Sequence, residues 1–148
     1  MEKNYITENK KVTKRLVELV KSLSDKELQL VIYKEGWTIA VALAHVAFWD
    51  ERRRLKMKQW KEKGVSPTPY IDDMVNDLLI PFLLAIPPRK AAELAISAAE
   101  ALDKELEDCS PEMLAAIEAL NEPKALDRAG HRNQHMDEIE ANLKARKR

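Results

Sequence analysis

The sequence predicts an all-α fold: a four-helix bundle with short accessory helices. Three observations carry that expectation. Ala, Leu, Glu and Lys, all strong helix formers, dominate the 148 residues. Apolar residues recur at helical spacing through four long stretches. Only three glycines occur, and no alternating β pattern, internal repeat or low-complexity tract is visible. The length suits one domain, residues 1–148, with a single sizeable core.

The first helix is expected over about Glu8–Leu23, where Val12, Leu16, Leu19, Val20 and Leu23 share one face. Thr7 is its expected N-cap, with Ile6 stapling the start. Ser24-Asp25-Lys26-Glu27 reads as a capping box that opens a short second piece. The second long helix starts after Thr38, just past the Gly36 break, and runs to about Lys63, where Gly64 can end it. Its first half, Ile39–Trp49, is apolar at every position except His45 and is expected to be buried. From Asp50 it turns amphipathic, with Leu55, Met57 and Trp60 among charges, and is expected to run along the surface.

Val65–Tyr70, with Pro67 and Pro69, reads as a loop. Ile71–Ile86 is strongly apolar, but Pro81 costs roughly 3 kcal/mol inside a helix, so two short helical pieces are expected. Pro87-Pro88 opens the third long helix, about Pro88–Asp108. Its inner stripe is Ala91, Ala95, Ala98, Leu102 and Leu106, and the alanines imply a close neighbour. Ser110-Pro111 caps a short helix, Pro111–Leu120. The last long helix is expected over about Pro123–Ala145, with His131, His135, Ile139 and Leu143 as its inner row.

Composition excludes several functional classes. The 25 basic and 25 acidic residues cancel, which favours neither nucleic acid nor an anionic membrane as a partner. Arg52-Arg53-Arg54 and Lys144–Arg148 read as solvated helix faces or frayed ends. Cys109 is the only cysteine, so no internal disulfide is possible. It reads as a small buried residue rather than a nucleophile. Met1–Lys11 is polar and unlike a secretory signal, and the longest apolar stretches are about half the ~20 residues of a membrane span. A soluble cytoplasmic protein is the expectation. Trp60, read as exposed, and the apolar Leu78–Ile86 region would supply a surface for a homodimer.

The three histidines carry the functional reading. His45 interrupts an apolar run, and a buried imidazole needs hydrogen-bond partners or a metal. His131 and His135, at i and i+4, place their Cβ atoms ~5–6 Å apart on one helix face. If the second and fourth long helices face each other, the three imidazoles converge on one site, as metal ligands do in bundle cores. The alternatives are a hydrogen-bonded core histidine at position 45 and a polar surface pair at 131 and 135. Asp127, one turn before His131, and Glu138, three residues after His135, could orient an imidazole or be ordinary solvated carboxylates. Trp49, one turn after His45, could wall the site or simply fill the core.

Gly36-Trp37-Thr38 and Leu43-Ala44-His45-Val46-Ala47-Phe48-Trp49-Asp50 resemble the second-helix motif of the DinB/YfiT-like superfamily. His131-Arg132-Asn133-Gln134-His135, followed by Ile139, resembles its fourth-helix H-x-x-x-H motif. The resemblance implies a four-helix bundle binding a divalent metal through His45, His131 and His135. It departs at Gly130, which would lie inside a helix, and around Pro81. Known activities in the family include thiol-S-transferases using bacillithiol or mycothiol and a mycothiol-dependent maleylpyruvate isomerase, and some members are proposed hydrolases. The family's name refers to induction by DNA damage and does not imply DNA binding. By resemblance, then, this chain is expected to be a metal-dependent enzyme that activates a thiol or water against a small electrophilic molecule. Its metal would be zinc or nickel, with iron and copper also suited to imidazole. A low-molecular-weight thiol would be its co-substrate. The competing expectation is a non-catalytic metal- or small-molecule-binding protein of the stress response. No catalytic residue can be named from the sequence.

Overall fold

Local capping chemistry sets the element boundaries. Described over residues 4–147, the computed structural model contains α1 (Asn4–Ser22), α2 (Asp25–Leu28), α3 (Ile39–Lys63), α4 (Met74–Leu84), α5 (Pro88–Glu107), α6 (Pro111–Glu118) and α7 (Ala129–Arg146), with a 3₁₀ turn at Pro123–Ala125. Residues 1–3 of the polar Met1–Lys11 start, and Arg148 of the basic C-terminal run, lie outside the described residues. The Ser24 hydroxyl accepts from Glu27 N at 3.0 Å, and the Glu27 carboxylate accepts from Ser24 N at 2.9 Å, completing the expected capping box. Thr38 Oγ1 accepts from Val41 N at 3.0 Å to open α3. Gly64, at φ +90°, closes that helix by donating to Trp60 O at 2.9 Å.

Three expected boundaries need correction. Thr7 lies inside α1 and does not cap it. The Pro81 segment is one helix, not two. The carbonyl left without its helical donor there belongs to Asp77, an exposed residue that water can satisfy. The last long helix does not begin at Pro123. Its start is set from outside: Asn9 Oδ1, on α1, accepts from the backbone N–H groups of Arg128 and Ala129, both at 2.9 Å. Asn9 Nδ2 also donates to Leu126 O at 2.8 Å. Gly130 is therefore the second residue of α7 and not a helix-interior glycine.

The four long helices close a ring: α3 packs on α5, α5 on α1, α1 on α7, and α7 back on α3. The larger apolar cluster gathers Leu16, Leu19 and Val20 of α1, Ile39–Leu43 of α3, Ala91, Ala95 and Ala99 of α5, and Met136 and Ile139 of α7. Ala99 takes the buried place expected of Ala98, which is half-buried. A second cluster joins Met57 and Trp60 to Leu102, Leu106, Leu114 and Ile117. The second half of α3 therefore does not simply follow the surface. Trp60 is 2% exposed, with its Nε1 donating to Ser66 O at 2.9 Å in the proline loop, so it offers no surface for self-association. Exposed apolar side chains sit instead on α4 and the segment before it: Tyr70, Met74, Leu78 and Phe82, the last 71% exposed. Among the described residues no helix is long and apolar enough to cross a membrane.

Candidate metal centre

The α3–α7 contact brings together the three residues that the sequence singles out. His45 sits in the buried half of α3, and His131 and His135 occupy successive turns of α7. Ring centroids are 4.8 Å apart for His45 and His135, 4.9 Å for His131 and His135, and 5.3 Å for His45 and His131. His45 Nε2 and His131 Nε2 approach to 3.3 Å. One ring nitrogen from each histidine lies within 4.8 Å of the other two, and among the described residues no other group of three His, Cys, Asp or Glu side chains is so placed.

Imidazole nitrogens held ~2.0–2.1 Å from one tetrahedral ion would lie roughly 3.3 Å apart, so the closest pair already has the required spacing. Burial pushes the His45 imidazole down to about 4, with His135 adding to the effect. Burial also pushes His131 down to about 3, helped by His135 and Arg128. His135 is lowered by burial, against the opposing pull of Glu138. All three are therefore neutral at pH 7 and keep a lone pair for a cation.

A turn between α2 and α3 covers the cluster. Ile32 N donates to Trp37 O and Ile39 N to Leu30 O, both at 2.9 Å. Gly36, at φ +87°, makes the tight turn possible and donates to Tyr33 O. The Trp37 ring lies 4.8 Å from His45, and the Tyr33 ring lies 6.3 Å from His135. Trp49 borders the other side, 6.4 Å from His45, and its Nε1 donates to Asn76 Oδ1 at 3.0 Å on α4. The Nδ1 atoms of His45 and His131 and the Nε1 atom of Trp37 are buried without a hydrogen-bond partner. Of the carboxylates weighed from sequence, Glu138 lies 3.9 Å from His135 Nδ1. Asp127 is exposed beside a surface cleft that Tyr5 and Glu118 also line. Cys109 is buried in the second apolar cluster, as expected.

The family model of the DinB superfamily matches residues 8–143. The chain belongs to the DinB superfamily. No curated protein and no solved structure matches it.

In this DinB-superfamily chain a second set of residues, missed from sequence, holds α7 in place. Asp50 is fully buried on α3 and accepts from Arg128 Nε at 3.0 Å and Arg132 Nε at 2.8 Å. Arg132 Nη1 reaches Asp103 Oδ1 of α5 at 2.9 Å and Thr13 Oγ1 of α1 at 3.0 Å. The Thr13 hydroxyl in turn donates to Asp103. One guanidinium thus ties α7 to all three other long helices, and its rotation fixes where His131 and His135 point. Asp50 ends the apolar run after His45 and Arg132 stands between the two later histidines, but neither position tells which partner turns it inward.

Proposed function

We propose that this DinB-superfamily protein holds one divalent metal ion through His45, His131 and His135 and acts as a metal-dependent enzyme on a small electrophilic substrate. The reading is carried by the convergence of three neutral imidazoles, two buried and one half-buried, two of them with Nε2 atoms 3.3 Å apart. Three neutral donors suit zinc or nickel, then iron or copper, and an open three-ligand site leaves room for a further ligand. Bound there, the ion supplies acidity, so that a coordinated thiol or water can react near neutral pH. The chain's own residues keep the donors deprotonated by burial, fix α7 through Arg132, and shield the site with Tyr33, Trp37 and Trp49. The reaction class is transfer of a low-molecular-weight thiol to the electrophile, or its hydrolysis. We place the protein in the cytoplasm as one domain, pairing through the exposed apolar residues of α4; a monomeric mass by light scattering would remove the dimer.

Elemental analysis of protein purified without a histidine tag tests the site, with about one ion per chain expected and background occupancy in each His→Ala variant. Turnover is then assayed with a panel of electrophiles and thiols, using His135→Ala as the control. One observation favours a second reading, of a metal-binding protein without turnover: His45 and His135 are 5% and 8% exposed, which limits access. Full metal occupancy with no turnover above the control would select it.

A further inference from the structure

The chain has three tryptophans, and the fold satisfies the indole N–H of two. Trp49 Nε1 donates to Asn76 Oδ1 at 3.0 Å, and Trp60 Nε1 donates to Ser66 O at 2.9 Å. Trp37 Nε1 is buried, and among the described residues it has no hydrogen-bond partner. An indole nitrogen can only donate, so nothing but an acceptor satisfies it. A buried donor left unpaired has given up its hydration for no return, and folded proteins keep few of them.

The turn between α2 and α3 holds Trp37 where it is. Trp37 O accepts from Ile32 N at 2.9 Å, and Val31 and Thr38 pair across the same turn. The residue is 9% exposed. Its ring meets Tyr33 edge-on at 5.5 Å and lies 4.8 Å from the His45 ring, tilted by 53°. The one indole donor that the fold leaves unused is therefore the one packed against the three-histidine cluster. An acceptor that reaches it arrives with a ligand. Sulfur accepts weakly, whereas an oxygen anion accepts strongly, and a hydrogen bond to charge is worth more than a neutral one.

We propose that Trp37 donates its indole N–H to an oxygen anion, a substrate carboxylate or a hydroxide, entering the three-histidine site beside His45. The inference rests on the metal-site reading above and narrows it. A site of three imidazoles accepts thiol sulfur or oxygen, and this wall of the site selects oxygen. Trp37 is then a specificity residue as well as a cover.

Nitrogen-15 NMR of tryptophan-labelled protein reads each indole N–H separately. The Trp37 signal is expected to move downfield in zinc-loaded protein given acetate, while those of Trp49 and Trp60 stay nearly still. A shift on zinc loading alone assigns the acceptor to a solvent oxygen, and a shift that needs acetate assigns it to a carboxylate. 2-Mercaptoethanol should move the signal less than acetate does. Trp37→Phe should take up zinc at unchanged stoichiometry, bind acetate ~10–100-fold more weakly when zinc-loaded, and bind 2-mercaptoethanol as before. The wild-type spectra decide the matter even if Trp37→Phe does not fold. A Trp37 signal unmoved in zinc-loaded protein, with and without acetate, would overturn the proposal, as would equal acetate affinity in Trp37→Phe. A wild type that takes up no zinc would instead sink the metal reading, and this inference with it.

Discussion

The two faces that α7 turns inward treat hydrogen bonding in opposite ways. On one, Arg128 and Arg132 meet Asp50 of α3, Asp103 of α5, and Thr13 and Asn9 of α1, and a single buried guanidinium nitrogen, Arg132 Nη2, is left unpaired. On the other, His131 and His135 meet His45, and two of the three rings lack any partner on Nδ1. Charge cancels on the first face, and its shape is set by bonds already made. The second face is neutral, with lone pairs unspent. The contrast separates what holds the helix from what is free to hold something else.

Four substitutions and one titration test that contrast, in descending order of effect. Arg132→Met should destabilise the protein by about 3–5 kcal/mol in urea unfolding, because it leaves Asp103 without its cationic partner and Asp50 with one instead of two. A loss below 1 kcal/mol would mean that the network does not hold α7. Next, zinc at 100 times its dissociation constant should stabilise the wild type by about 2.7 kcal/mol and leave His131→Ala unmoved. A retained thermal shift in that variant would place the ion elsewhere.

The metal-free histidine face should also respond to acid. His45 and His131 have folded-state values near 4 and 3, below the unfolded value of about 6.5, so the unfolded chain takes up protons first. The stability they contribute is complete above pH ~6.5 and is lost as pH falls toward those lower values. The slope is up to about 1.4 kcal/mol per pH unit for each ring. Flat stability between pH 7 and pH 5 would contradict it. Asn9→Ala removes the cap that α1 lends to α7 and should cost about 1 kcal/mol; amide exchange at Ala129, faster than in the wild type, would locate the loss. The smallest change is Gly130→Ala. Beyond its own turn of helix backbone no atom lies within 4 Å of the added methyl and φ is not positive, so about 0.5 kcal/mol of stabilisation is expected, with zinc uptake intact.

Local chemistry made part of this structure readable. Thr38 and Gly64 bracket α3 because caps act within one turn of themselves. The histidines were readable because one breaks an apolar run and two share a helix face. The arginine–aspartate network was not. The chain carries 25 basic and 25 acidic residues, and what turns Asp50, Asp103 and Arg132 inward is a partner on another helix, which spacing along one helix does not reveal. The same limit explains Arg53, the middle of a run expected to be solvated. It is buried over the Trp60 ring, its guanidinium pushed down to about 10 by burial, because the proline loop brings Thr68 to within 3.2 Å of it. The start of α7 was misjudged because its cap belongs to α1.

That borrowed cap has a bearing on biosynthesis. His45 and His131 are 86 positions apart, and α7 begins where a side chain 119 positions earlier tells it to. At ~5–20 residues per second, roughly ten seconds of translation separate the first imidazole from the second. During that interval the nascent chain has one of the three imidazoles, and a copy cut short before α7 never gathers the other two.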